Sequence, residues 1–444
     1  MRNDKWRTEI VQKLYRQRWR IWIVACAAHT IGMFHRAAMA PMADRLMADF
    51  DISAFAFGGL GAVYFYIYAA MQLPSGTLAD TLGPRKTITT GLLLSSVGSL
   101  IMSMAPTFAI LFLGRLIISF GVSIVWLNVI KLVMEWFQAR QVATVTGISS
   151  SLMHLGQIAA TTPLALLIIA LGWRVSLVAI VGISVGLAIA SWFIIRDNPA
   201  KIDLPPIAES SGQDILQSVV SDNLAGLSLV QRLKIILSNK YLWPLVLVSL
   251  GTYGAYATLF YNWTVIYLMQ TYALPRDSAA NFLLIATAGM MVGAPSVGFL
   301  SDRILRRRRL PIVLFTGLAL LIFLLWTFWD GGKPPLEMLY PLCFLMGFSA
   351  SSMFLPYACI RDIVPPFVQG MALGLINMGA FVGPALAQPL FGYILDLGWR
   401  GEIVGGVRVY PLEAFQQGLW ICCFLAALGF IGALLVKETY YNRS

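Results

Sequence analysis

Apolar residues run along this chain in long, nearly unbroken blocks, not in the short period-two alternation that a barrel wall needs. A bilayer core of roughly 30 Å takes about 20 mostly apolar residues per spanning helix. Twelve blocks meet that requirement, over 19–41, 54–78, 88–105, 109–133, 143–171, 174–195, 241–268, 278–300, 310–329, 336–360, 368–396 and 414–436. The longest polar stretch, Arg196 to Lys240, divides them six and six. The pattern predicts an all-α membrane protein with 12 transmembrane helices. Composition agrees: 12% of the 444 residues are charged and 58% belong to the AVILMFWYC set, which excludes an ordinary soluble protein. A basic stretch precedes the first block, which is long enough to span, so the start does not read as a cleavable signal peptide. Within "WRTEIVQKLYRQRW", Trp6, Ile10 and Leu14 recur at helical spacing among basic residues, and a short interfacial helix is expected there.

The formal charge of +11 would suit a nucleic-acid binder, but its distribution points elsewhere. When loops are assigned alternately to the two sides, 23 Lys and Arg fall on one side and 6 on the other. That bias sets topology and places both termini in the cytoplasm, with anionic lipid as the partner and no nucleic acid. Cys26, Cys343, Cys359, Cys422 and Cys423 all fall in predicted spans without metal-like spacing, and they read as small apolar residues.

The loop after the second block reads "GTLADTLGPRK" and the loop after the eighth reads "GFLSDRILRRRR". Each carries Gly, x, Leu, x, Asp and then basic residues, and Asp80 and Asp302 lie 222 residues apart, half the chain. Such a repeat indicates a duplicated six-helix architecture. Gly76 and Gly83 suit close helix approach and a tight turn, and Asp80 can cap a helix or meet a cation. The first loop resembles the motif after helix 2 of the major facilitator superfamily, and "GRLIISFG" (Gly114 to Gly121) resembles that family's Arg-containing helix 4 pattern. The resemblance implies two six-helix bundles that rock around a central cavity, with Gly76, Asp80, Gly83, Arg85, Lys86, Arg115, Asp302 and Arg303 in the conformational motifs. Thr81 departs from the family pattern, where many members carry Arg. The expected organisation is a basic N-terminal segment (1–18), an N-terminal bundle (19–195), a cytoplasmic central loop (196–240), a C-terminal bundle (241–436) and a tail (437–444).

A midplane Arg or Lys costs about 2.5–3.5 kcal/mol, so each one calls for an explanation. Arg36, Arg115 and Lys131 qualify, and no Asp or Glu is expected deep in any span. Arg36 lies far from both ends of the first span without a carboxylate partner, which makes it a site for an anionic ligand. His29 is seven residues earlier on the same face, whereas His35 points elsewhere and reads as packing. Lys131 is balanced between ligand contact and snorkelling. The sixteen residues from Arg115 to Lys131 put these two cations at opposite ends of one helix, so Arg115 reads as structural or gating. Polar and aromatic stripes complete the candidate substrate site: His154 and Gln157 with Thr161; Tyr253 and Tyr256 with Phe260; Asn377, Phe381 and Gln388. The seventh helix, rich in Tyr and broken by Gly, is expected to be a flexible gate.

Arg36 and its spacing to Asp80 also resemble the organic-anion and sugar-phosphate permease branch of the family. Gln72 stands where those permeases carry Lys, and the seventh span has no basic residue. A monoanionic carboxylate therefore fits better than a phosphate ester unless Lys131 supplies a second cation. The expected activity is secondary transport of a small organic anion across the plasma membrane, by anion exchange or by proton symport through His29 or His154. The alternatives are an exporter of amphipathic drugs or lipids and an anion sensor that does not transport. No nucleophile with a base, metal cluster or phosphate loop suggests an enzyme, and a monomer without cofactor is expected.

Overall fold

A computed structural model describes residues 2–202, 229–365, 368–404 and 406–439. The described chain is almost wholly helical; its one sheet is a two-stranded ribbon in which Ile403 pairs with Arg408 and Val404 with Val407. Among the described residues, eight helical segments are long and apolar enough to cross a membrane: Phe108–Trp136, Ile148–Ile194, Leu242–Tyr272, Arg276–Phe299, Arg309–Gly331, Leu336–Ile360, Gln369–Gly398 and Leu412–Leu435. Ala54–Ala70 is a shorter apolar helix, and Pro84–Ser103 is a further helix of 20 residues.

Several expected boundaries are corrected. The basic segment is not a separate interfacial helix: Arg2–Ala37 is one helix of 36 residues, about 54 Å at 1.5 Å per residue. It does not end in a loop near residue 41. Pro41 has no N–H to give the Ala37 carbonyl, so the helix is interrupted at Ala38 and resumes as Met39–Asp49. One boundary agrees: the Ile148–Ile194 run breaks at Gly172, between the blocks at 143–171 and 174–195, where φ of +77° and ψ of 161° lie outside the helical region. Phe108–Ser123 and Val125–Trp136 are distinct helices meeting at Ile124, so one regular helix cannot be drawn from Arg115 to Lys131.

The contacts divide the chain into two compact units that cut across its sequence halves. The first gathers residues 1–35, 70–157 and 174–222. Its core packs Ile21, Ala25, Val125, Val129, Leu132 and Trp136. Pro84–Ser103 and Phe108–Ser123 approach so closely that a Cβ on Gly98 would lie 2.6 Å from the Gly114 carbonyl oxygen. Arg174 Nη1 donates to the carbonyls of Ser103 and Ala105 at 3.1 and 2.9 Å, covering the end of the first of these helices.

The second unit holds residues 36–69, 158–173 and 223–444, so it takes two pieces of the first sequence half. Its core includes Leu242, Leu245, Ile312, Phe315, Val368 and Ile376. Within Leu242–Tyr272 the helix widens into two turns of π geometry, Ser249–Tyr253 and Leu259–Trp263. This corrects the expected glycine break: Gly251 and Gly254 instead let neighbouring helices approach, with Gly429 against the first and Gly383 against the second. The five cysteines are free thiols, all buried.

Candidate functional site

Arg36 is the penultimate residue of its helix and only 7% exposed. Its guanidinium carbon lies 5.3 Å from the Tyr64 ring centroid and 5.2 Å from those of Tyr68 and Phe381. Its Nη1 donates to Tyr253 Oη at 2.9 Å, and its Nε has no hydrogen-bond partner among the described residues. No described carboxylate forms an ion pair with it. A cation over an aromatic face gains roughly 0.5–2 kcal/mol. Three such faces together are comparable with the several kcal/mol that burying one ion costs, but they leave its charge uncancelled. The cradle tolerates the cation without neutralising it.

Three segments supply the rings. Tyr64 and Tyr68 share one face of Ala54–Ala70 at i, i+4, with centroids 5.8 Å apart, whereas Tyr66 is exposed on another face. Sequence reasoning missed both, although "YFYIY" carries that spacing. Phe381 comes from Gln369–Gly398 and meets Tyr68 at 4.4 Å. Tyr253 sits at the end of the first π turn, a kind of irregularity common at functional sites.

The other candidates have different surroundings. Tyr256 stacks on Phe260 at 4.9 Å and meets Tyr261 edge-on. Asn377 Oδ1 accepts from Tyr357 Oη at 2.9 Å, and Gln388 Nε2 donates to the Ala257 carbonyl at 3.2 Å. In the first unit, His154 Nδ1 and Gln157 Oε1 are 3.1 Å apart, and the His29 ring packs on Trp126 at 4.7 Å. Lys131 is half-buried. Arg115, 1% exposed, donates from Nη1 to the His35 carbonyl at 2.7 Å, and His35 Nε2 lies 3.4 Å from Ser99 Oγ.

In the motif loop, Gly83 has φ +81°, which only glycine adopts without strain. Asp197 lies against it, accepts from the Arg85 amide at 2.8 Å and pairs with Lys201 Nζ at 2.5 Å. Sequence reasoning did not single out Asp197. Lys86 and Arg303 are exposed. Gly76 and Asp80 lie in Gln72–Thr81 and Asp302 in Leu300–Ile304, and of these three only the helical backbone is described.

A buried acid, Asp44, lies just past the first predicted span (19–41), outside the reach of the expectation that no Asp or Glu sits deep within a span. Asp44, read as loop, forms a two-pronged ion pair with Arg276: Nη1 donates to Oδ1 at 2.5 Å, Nη2 to Oδ2, and Nη1 also to the Pro41 carbonyl. In the same unit, Asp396 receives the amides of Ala54 and Phe55 at 2.9 and 2.7 Å, capping Ala54–Ala70. Tyr410 Oη donates to that carboxylate at 3.4 Å; burial, and then the charge of Asp396, push its phenol well above the usual range. Gly58 and Gly61 on the same helix seat it closely. A Cβ on Gly58 would lie 2.4 Å from the Gln388 carbonyl oxygen, and one on Gly61 would lie 2.4 Å from both amide atoms of Asn262. Those Asn262 atoms and Gln388 Oε1 are buried without a hydrogen-bond partner among the described residues.

Long apolar helices and a buried cation without a described carboxylate partner are features of a multi-pass membrane protein. The chain belongs to the Major Facilitator Superfamily, whose family model matches residues 24–358. It is 25% identical to a probable sulfoacetate transporter of Cupriavidus necator, over 84% of this chain and 86% of that protein. It is 24% identical to a probable hexose phosphate transport protein of Chlamydia trachomatis, over 89% of each. Among solved structures, a bacterial homologue of the human lysosomal transporter Spinster, inward-facing and unoccupied, superposes with TM-score 0.73 at 15% identity, covering 96% of this chain and 99% of that one. That likeness bears on the fold alone.

Proposed function

We propose that the protein moves a small organic anion across the plasma membrane by alternating access, with Arg36 as the anion's receptor. One observation carries this: a buried guanidinium whose charge no described carboxylate cancels. The two relatives named above support it, since sulfoacetate and hexose phosphate are both anions. The twelve-helix topology, two bundles and both termini on the basic face belong to the same proposal, in keeping with the loop charges. Tyr253 orients the guanidinium and, with Tyr64 and Tyr68, offers phenols to the cargo. Tyr256, Asn377 and Gln388 in the second unit, and His154, Gln157, His29 and Lys131 in the first, are further candidate cargo groups, of which His29 and His154 suit proton coupling and Lys131 suits a second negative charge. The gate on the other side comprises Asp44 with Arg276, the Asp396 cap and the Gly58–Gly61 seat, contacts made in one state and broken in the other.

Proteoliposomes test this directly. Vesicles loaded with a carboxylate, a sulfonate or a phosphate ester exchange it for the labelled external anion, and Arg36→Gln abolishes exchange while Arg36→Lys keeps a residue of it. Exchange that survives Arg36→Gln, or transport confined to amphipathic cations, overturns the proposal. Binding without exchange marks a sensor.

A further inference from the structure

The first unit has a groove at the basic end of its long helix, lined by residues other than those around Arg36. A cavity of about 400 Å³ is lined by Gln17, Arg20, Ile23, Val24, Phe193 and Ile194. Its walls differ from end to end. Gln17 and Arg20 lie at one end, and Ile23 and Val24 follow one turn further along the helix. Ile23 is 58% exposed and Phe193 68%, so the apolar end is open along its side. Trp192, partly exposed, directly precedes Phe193, and Trp gathers at membrane interfaces.

The cations nearby are not equivalent. Arg85 Nε donates to the Trp192 carbonyl at 2.7 Å and its guanidinium lies 4.3 Å from the Trp192 ring centroid. Arg196 Nη1 donates to the Ile195 carbonyl at 2.9 Å, and Gln17 Nε2 to the Ile194 carbonyl at 3.4 Å. These groups cover the carbonyls where the Thr162–Ile194 helix ends. Arg20 is exposed and gives its guanidinium to no described residue. A free guanidinium beside an open apolar groove matches a ligand with a phosphate at one end and a hydrocarbon chain at the other.

We propose that this groove is a specific site for an anionic phospholipid, with its phosphate on Arg20 and one acyl chain along Ile23, Val24 and Phe193. The site is independent of the transported anion and of Arg36.

Native mass spectrometry of the purified full-length protein tests it. The protein is offered equal amounts of phosphatidylglycerol and phosphatidylcholine with matched chains. One phosphatidylglycerol per molecule is retained in preference to phosphatidylcholine, by about fivefold for one arginine near an anionic headgroup. The preference disappears in Arg20→Gln and persists in Arg20→Lys, with the circular dichroism spectrum unchanged in both. Equal retention of the two lipids overturns the proposal, as does a preference that survives Arg20→Gln. Displacement by millimolar glycerol phosphate would mark a site for soluble organophosphates and also overturn it. So would retention that appears only after residues 203–228 are deleted, which makes the chain's own segment the occupant.

Discussion

Arg36 was legible in the sequence because a midplane cation is costly enough that its presence demands a cause. Its partners were not legible. Tyr64 and Tyr68 sit in an apolar run where tyrosine reads as lining or lipid interface, and only folding brings them over the guanidinium. Asp44 escaped for the opposite reason: it lies past the apolar block, where an acid looks solvated, yet helix continues through it to Asp49. The cradle makes a prediction in two parts. Arg36→Met removes a buried charge together with the ring contacts that roughly offset its burial, so it leaves thermal stability within about 1 kcal/mol. The same substitution abolishes transport and the anion-dependent rise in melting temperature. A differential melting scan with and without anion checks both, and a markedly lower melting temperature in Arg36→Met would make the residue a structural one.

At the level of elements, the apolar blocks from 109 onward reappear as helical segments long and apolar enough to cross a membrane, because hydrophobic length is dictated by the bilayer. Gly172, between two predicted spans, does break the helix. The two π turns left no mark in the sequence, since an extra residue in a turn changes register without changing composition. Nor did the sequence reveal how Ala54–Ala70 docks. Its N-terminus is held by Asp396 from a helix more than 340 residues away in sequence, an N-cap worth about 0.5–2 kcal/mol. Its seat depends on Gly58, where a methyl group would meet backbone that cannot turn aside. Gly58→Ala therefore disfavours this docked arrangement. A cysteine placed at the buried Ala54 reacts slowly with an impermeant maleimide in the parent and severalfold faster with Gly58→Ala, and equal rates would show that the helix tolerates the contact.

For the whole molecule, the repeated loops around Asp80 and Asp302 revealed a duplication, but not which segments would pack together. The compact units do not follow the halves: residues 36–69 and 158–173 join the second. What joins them is mixed in sign. Asn262 and Gln388 bury amide atoms without described partners, each costing about 1–3 kcal/mol. Asp44 with Arg276 and the Asp396 cap work against that cost. An arrangement balanced in this way can be left again, as the proposed alternating access requires. Removing one member of a buried pair strands the other charge and costs about 3–5 kcal/mol, so Asp44→Asn and Arg276→Gln each lower the melting temperature and expose a cysteine at position 54. The double exchange Asp44→Arg with Arg276→Asp restores much of both, because pairing is recovered with its direction reversed. If the double exchange is as labile as the single variants, the contribution of the pair lies in the Arg276 bond to the Pro41 carbonyl and not in the attraction between the charges.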